Sequence, residues 1–214
     1  MSLYADLENR CKRRLGRRGF TITTEFLDEM KAAQEKLEMS PQLPKILKKT
    51  TASISTPLDA VTLTSIPPAD FIRIYDDFGL LYVDDASNEK GAIRLDTRQQ
   101  LISKKNAGIS GEIFYFIVSN TVIEIAPKLT RATFFTMNYY AKDVVLNGAN
   151  ENLWTGNFGE LMLGMAGEQI AVWLRDDRAL QYFANLAATE RRRMVIQVEA
   201  DEWGDSDLVM GGPD

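Results

Sequence analysis

Apolar residues near the start of the chain recur every three or four positions, the spacing of one helix face. Ser2 is placed to cap a first helix that Gly16 and Gly19 end, and a second helix follows with Thr24 as its N-cap. Ser40-Pro41 ends the second helix, because the residue before a proline avoids the helical region. The connection is short, so the two helices are predicted to form an antiparallel hairpin. Its apolar positions are Leu3, Leu7, Cys11 and Leu15, then Phe26, Met30, Ala33 and Leu37.

From Thr50 onward the pattern changes to short β-branched and aromatic runs separated by Pro, Gly, Asn and Asp. The clearest hairpin joins 113–118 to 121–126 through Ser119-Asn120, and the aromatic run 132–140 is predicted to be its next neighbour. Earlier strands are predicted at 50–55, 59–64, 71–75 and 79–83. One short helical turn, capped by Asp96 or Thr97, is predicted at 98–102.

After Asn147-Gly148 the helical period returns. One helix is predicted from about Phe158 to Leu174, and Asp176-Asp177 starts another, which makes a second helical hairpin. Trp173 is expected to be buried on the apolar face of the first of these helices. Close packing between helices is also expected, because this segment holds glycines whose spacing matches no phosphate-binding loop: Gly156, Gly159, Gly164 and Gly167.

These patterns predict an α+β fold, in which the N- and C-terminal segments form a helical bundle and an antiparallel β domain is inserted between them. The predicted boundaries are a helical hairpin over 1–48, the β domain over 49–146, helices packing on the N-terminal pair over 147–198, and an acidic mobile tail over 199–214. The tail is separated from the helices because it has too little apolar content to pack by itself.

Composition removes several classes of protein. The chain has no histidine and a single cysteine, Cys11, which excludes Ser-His-Asp triads, imidazole zinc sites and internal disulfides. Walker A, GxGxxG, HExxH and EF-hand motifs are missing from the sequence. No apolar run approaches the roughly 18 to 20 residues of a membrane span, and the charged N-terminus is unlike a signal peptide. We therefore predict a cytosolic protein that is not an enzyme, with no catalytic residue, cofactor, metal ion or membrane partner.

The net charge of −5 is distributed unevenly along the chain. Residues 10–18 carry six bases and no acid, whereas 199–214 carry six acids and no base. A solvated helix face and a disordered tail are the simplest interpretation. The functional interpretation is an interface to another protein or to further copies of the chain, with these candidate residues: Arg10, Arg13, Arg14, Arg17, Glu199, Asp201, Glu202, Asp205 and Asp207.

Two other functions stay open. A small carboxylate-dependent hydrolase could use Asp76-Asp77, Asp84-Asp85 or Asp176-Asp177, although adjacent residues on a strand point to opposite faces and these pairs fall at predicted turns and a helix cap. A DNA-binding or regulatory module could use the basic cluster. The pI of about 5.0 and the lack of aromatic residues among the bases disfavour DNA binding.

Four phrases, taken in order, resemble the head-to-tail adaptor (connector) proteins of short-tailed bacteriophages. They are EKLEMSPQLPKIL, SIPPADFIRIYD, the hairpin FYFIVSNTVIEIAPKLTRATFFTMNYYAK, and the closing helices ENLWTGNFGELMLGMAGEQIAVWLRDDRALQYFANL. Together they extend over most of the chain. The acidic tail after Glu199 matches no family phrase.

The resemblance implies a structural virion protein without a catalytic site. Family members form a ring of about twelve copies at the virion neck, where the ring docks on the portal protein and carries the tail nozzle or tail fibre proteins. The genomic DNA passes through such a ring without sequence-specific binding. The resemblance therefore implies a chain made in the host bacterial cytoplasm and assembled at the portal vertex, with the candidate residues above meeting the portal or a neighbouring copy.

Overall fold

The structure is a computed structural model that describes residues 2–16, 22–57, 59–63, 67–74, 79–83, 88–106, 111–119 and 122–205, with side chains as far as residue 200. The chain divides into two compact units, a helical unit (Met1–Ile46 with Asp143–Asp214) and a β unit (Leu47–Lys142). The predicted α+β class, with helical N- and C-terminal segments, is confirmed. The described helices are α1 (Leu3–Arg14), α2 (Thr23–Glu38), α3 (Arg98–Asn106), α4 (Leu153–Trp173) and α5 (Asp177–Asp205).

α4 is the central helix of the helical unit. α1, α2 and α5 each pack more extensively on α4 than on one another. The second predicted hairpin, α4 with α5, is present, whereas α1 and α2 lie mainly on α4 rather than on each other. The apolar faces predicted for α1 and α2 are buried against this arrangement, apart from Leu3, which is exposed.

The ends of α1 and α2 show which capping signals the chain uses. Ser2 Oγ accepts a hydrogen bond from the Ala5 N–H at 3.3 Å, and Gly16 ends the helix in the left-handed region at φ 64°, as predicted. The predicted N-cap Thr24 is wrong, because α2 begins at Thr23 with the buried Ile22 at its N-cap position and no side-chain cap. Burial of an apolar residue decides this boundary instead of a hydroxyl.

α4 begins five residues earlier than the sequence pattern indicated. Asn152 and Thr155 form a reciprocal capping box, in which Asn152 Oδ1 accepts from the Thr155 N–H at 2.9 Å. Phe158 interrupts the helix with φ −130° and ψ 30°. The 3.6-residue period is broken there, which explains why the pattern became visible only after the kink.

Glycines allow α4 and α5 to approach closely. A Cβ atom at Gly164 would lie 2.6 Å from the Ala187 backbone nitrogen, and one at Gly167 would lie 2.5 Å from the Phe183 ring. These two contacts confirm the predicted helix-packing role of this glycine segment. Gly156 differs, because a Cβ there would meet nothing within 4 Å.

The β unit contains two sheets in its described part. The strands are β1 (Lys48–Thr50), β2 (Ile54–Thr56), β3 (Thr62–Leu63), β4 (Phe71–Ile74), β5 (Leu80–Val83), β6 (Glu89–Gly91), β7 (Ile93–Arg94), β8 (Phe114–Ser119), β9 (Val122–Ala126) and β10 (Thr133–Ala141). The first sheet has the order β1-β10-β5-β6, with β2 and β4 also paired to β10, and the second has the order β3-β9-β8-β7. The predicted β8–β9 hairpin is confirmed, with Phe114 opposite Ala126.

Two predictions about this unit are wrong. β10 does not lie beside the β8–β9 hairpin, because the segment after Ala126 leads the chain into the other sheet, where β10 is the strand shared by four partners. The unit is also not wholly antiparallel, since β7 pairs with β8 in parallel, with Ile93 opposite Phe114. β6 and β7 are too short and too polar to stand out as strands in the sequence.

The core of the β unit lies between its two sheets. Residues from both sheets form one buried cluster, which includes Tyr115, Ile123 and Ile125 from the second sheet and Leu80 and Phe135 from the first. α3 covers a smaller cluster formed by Leu101, Phe114 and Ala126. Thr97 Oγ1 accepts from the Gln100 N–H at 3.3 Å, which confirms one of the two predicted caps.

Candidate interaction surfaces

The basic end of α1 is partly used inside the helical unit. The Arg10 guanidinium donates two parallel hydrogen bonds to the Glu160 carboxylate on α4, with 2.7 Å between Nη2 and Oε2. These hydrogen bonds raise the pKa of Arg10. Lys12 is likewise paired with Glu8 on its own helix. Arg10 therefore joins α1 to α4 and contributes little to an outer surface.

Arg13 and Arg14 are the exposed bases at this end. The Arg14 guanidinium lies over the ring of Tyr182 on α5, with its central carbon 3.8 Å from the ring centre. Arg13 forms no ion pair with a described residue. Arg17, the fourth predicted base, lies outside the described residues. One face of the basic end thus remains available for an external partner.

α5 carries its acidic residues past the start of α4. The contacts of Gly164 with Ala187 and of Gly167 with Phe183 fix the antiparallel register, which places Leu153 level with about Val198 at the common rise of the two helices. Beyond Val198, α5 continues to Asp205 without α4 beside it. Glu199 is exposed there, and Asp201, Glu202 and Asp205 belong to the same last turns. Asp207 lies outside the described residues.

The segment 199–205 was predicted to be part of a mobile tail, and in the structure its backbone continues α5. The sequence pattern gave no reason to extend the helix, because the apolar stripe of α5 ends at Val198. The acidic residues therefore have a helical backbone at a defined place in the unit.

The basic and acidic ends lie at opposite ends of the helical unit. Leu7 contacts Gly159 and Arg14 contacts Tyr182, so α1 runs parallel to α4 and its basic end is level with the start of α5. From Tyr182 to Glu199, α5 advances about 25 Å. The Debye length in physiological salt is about 8 Å, so the two ends cannot neutralise each other within one molecule.

A buried polar network holds the start of α4. Glu38 accepts hydrogen bonds from the Asp143 N–H at 3.0 Å, from Gln34 Nε2 at 2.9 Å and from Trp154 Nε1 at 3.3 Å. Asn152 Nδ2 donates to Gln34 Oε1 at 3.0 Å. Each of these polar groups has a partner, as burial requires. The network fixes α4, and with it Glu160, the partner of Arg10.

Sequence reasoning missed this network, although a signal was present. Gln34 and Glu38 are one helical turn apart and are buried on α2 beside the predicted apolar position Leu37. A pair of polar residues inside an apolar face indicates a buried polar partner. The partners could not be named, because they lie more than one hundred residues away in the sequence.

The prediction that Trp173 is buried is wrong, since 56% of its surface is exposed. Trp173 is the last residue of α4. α1 ends level with Tyr182, more than one helical turn before α4 reaches Trp173, so α1 does not cover this side chain. The tryptophan that forms part of the core is Trp154, which is 1% exposed. Val172 is also half exposed, so the end of α4 presents two adjacent apolar side chains.

The carboxylate pairs considered for a hydrolase contribute little to the described structure. Asp176 caps α5, with its Oδ1 accepting from the Ala179 N–H at 3.0 Å. Asp76-Asp77 and Asp84-Asp85 lie outside the described residues. Among the residues that are described, no cluster of three or more His, Cys, Asp or Glu suits a metal ion. Within the same part of the chain, no helix has the length and apolarity needed to cross a membrane.

Comparison with known proteins gives no assignment for this chain. No family model matches the sequence, and no curated protein matches it either. The two charged ends and the four phrases of the sequence are therefore the basis for a functional proposal.

Proposed function

We propose that the chain is a structural virion protein, a head-to-tail adaptor of a short-tailed bacteriophage. About twelve copies form a ring at the virion neck, which encloses the DNA channel, docks on the portal protein and carries the tail nozzle or tail fibre proteins. The observation that carries the proposal is the pair of oppositely charged ends on one helical unit. A ring that also docks on a portal needs different surfaces on every copy, and two ends of opposite charge supply such surfaces.

The phrases that resemble the family also fall at structural boundaries. EKLEMSPQLPKIL extends across the end of α2, ENLWT contains the capping box of α4, and the Asp-Asp pair starts α5. The resembling residues thus set where helices begin and end, which supports a common fold. The chain is made in the host cytoplasm and assembled at the portal vertex.

The charges also suit a channel through which DNA slides. At a net charge of −5 per copy, a ring of about twelve copies is strongly negative and repels DNA at close range. Arg10 and Arg14 are engaged with Glu160 and Tyr182, so they do not form a free phosphate-binding row. DNA therefore passes without sequence-specific binding.

The proposal is tested by weighing the chain with and without its portal protein. Light scattering at about 0.1 M and about 1 M salt, where the Debye length is about 10 Å and about 3 Å, should show a large portal-dependent assembly that weakens at high salt. Arg13→Glu should impair this assembly, because Arg13 is exposed and forms no ion pair with the residues that the structure describes. Lys31→Glu makes the same charge change at a residue paired with Asp28 and serves as the control.

A chain that stays monomeric with portal at both salt concentrations contradicts the proposal. Strong DNA binding in a gel-shift titration that is lost in Arg13→Glu, while portal binding survives, favours the DNA-binding alternative. Hydrolysis of cell-envelope polymers by the purified chain favours the hydrolase.

A further inference from the structure

A groove runs between α2, α4 and α5 of the helical unit. Two cavities of about 400 and about 320 Å³ form it, and Lys36 and Arg191 line both of them. We name it the α5 groove. Its apolar lining consists of small or flexible side chains: Met165, Ala184, Ala187, Ala188, Leu37 and Met194. Alanines on α5 leave room for a second element to pack there.

The α5 groove carries two cations that form no ion pair within the described part of the chain. Lys36 forms no ion pair with a described residue, and neither does Arg191, which contacts the Met165 sulfur at 4.0 Å. Glu168 is the acid that lines the groove. Arg192 follows on α5 and is exposed, whereas Arg193 is paired with Glu190 at 2.7 Å. The groove therefore has a net positive rim over an apolar floor.

We propose that the α5 groove binds the acidic end of α5 from a second copy of the chain. That end carries Glu199, Asp201, Glu202 and Asp205 with no base after Val198, and it contains Trp203, a residue type that often anchors interfaces. Acidic groups match the cations of the rim, and an apolar side chain matches the alanine floor. This inference rests on the proposed ring, because it assigns the acidic end to the groove of the next copy and leaves the basic end of α1 to the portal protein.

The occupant cannot be the molecule's own acidic end. Ala188 in the groove and Glu202 belong to one continuous helix, along which they are about 21 Å apart. A straight helix cannot fold back onto its own side. Because groove and acidic end are different surfaces of the same chain, their pairing is heterologous, and it propagates from copy to copy until a ring closes.

Charge reversal on each surface provides the test. The groove variant Lys36→Glu/Arg191→Glu and the end variant Asp201→Lys/Glu202→Lys each bring like charges together. We expect the association constant of each variant alone to fall by roughly 100-fold, measured by sedimentation velocity with portal present. An equimolar mixture should regain wild-type association, because the acidic groove of one variant then meets the basic end of the other.

Lys31→Glu/Arg193→Glu is the matched control, since it makes the same charge change on α2 and α5 at residues that are paired with Asp28 and Glu190 and do not line the groove. Circular dichroism of every variant checks that the helices are retained. Wild-type association of the groove variant, or a mixture that does not recover, overturns the inference while the ring itself stands. Loss of portal binding alone by the groove variant assigns the groove to the portal and also overturns it. A wild-type chain that never associates overturns both proposals.

Discussion

Replacing Trp154 with alanine should destabilise the helical unit far more than the same change at Trp173, in the same helix. Trp154 is 1% exposed, its ring centre is 5.6 Å from that of Phe158, and its Nε1 donates to Glu38. Truncating a buried tryptophan costs about 3 to 5 kcal/mol, and loss of the hydrogen bond to a buried carboxylate adds about 1 kcal/mol. At 56% exposure, Trp173→Ala should cost less than about 1 kcal/mol.

Urea unfolding followed by far-ultraviolet circular dichroism separates the two variants. With a urea dependence of about 2 kcal/mol per molar, Trp154→Ala should lower the midpoint of the helical transition by about 2 to 3 M. Trp173→Ala should lower it by less than about 0.5 M. Equal midpoints for the two variants would refute the placement of the core at the start of α4.

Gly164→Ala should lower the free energy of unfolding by about 1 to 3 kcal/mol, because the added Cβ meets the Ala187 backbone. Gly156→Ala, where the added Cβ meets nothing, should raise this free energy by up to about 1 kcal/mol. Equal urea midpoints for the two variants would contradict the close packing at Gly164. The hydrogen bond that α3 donates to the Glu124 carboxylate lowers the pKa of Glu124. The stability that this carboxylate adds to the fold is therefore present above about pH 4.3 and is lost as the pH falls through the lowered pKa. Glu124→Gln should therefore show a weaker loss of stability in acid, measured by urea midpoints at several pH values. Burial raises the pKa of Cys11 to about 12, so iodoacetamide should label it only after unfolding, as mass spectrometry can show.

The parts of the fold that the sequence predicted are those set by local chemistry. Ser2 and Gly16 bound α1 through a hydroxyl cap and a positive φ, which depend on neighbouring residues alone. The β8–β9 hairpin follows from two β-rich runs separated by a short turn. Strand partners beyond a hairpin depend on distant residues, and this is why β10 was assigned to the wrong sheet.

The sequence predicts where the charged residues of the candidate surfaces lie, but it does not predict which of them contact other parts of the chain. The bases of α1 stand out in the sequence, yet the pairing of Arg10 with Glu160 removes one of them from the surface. Periodicity identifies which face of a helix is apolar, but it does not tell how far neighbouring helices extend along that face. Trp173 was misplaced for this reason, and the helical backbone of 199–205 was missed.

The length of α5 connects the core of the helical unit to the proposed contacts between copies. Its stripe of Ala179, Phe183, Ala187, Met194 and Val198 is buried. Its groove-lining alanines lie in the first half, and its acidic turns begin beyond the level at which α4 starts. If α5 stopped near Val198, level with the start of α4, the groove of the next copy would have no complementary element to bind. Because α5 continues, each copy carries both a groove and an element to fill the groove of the next.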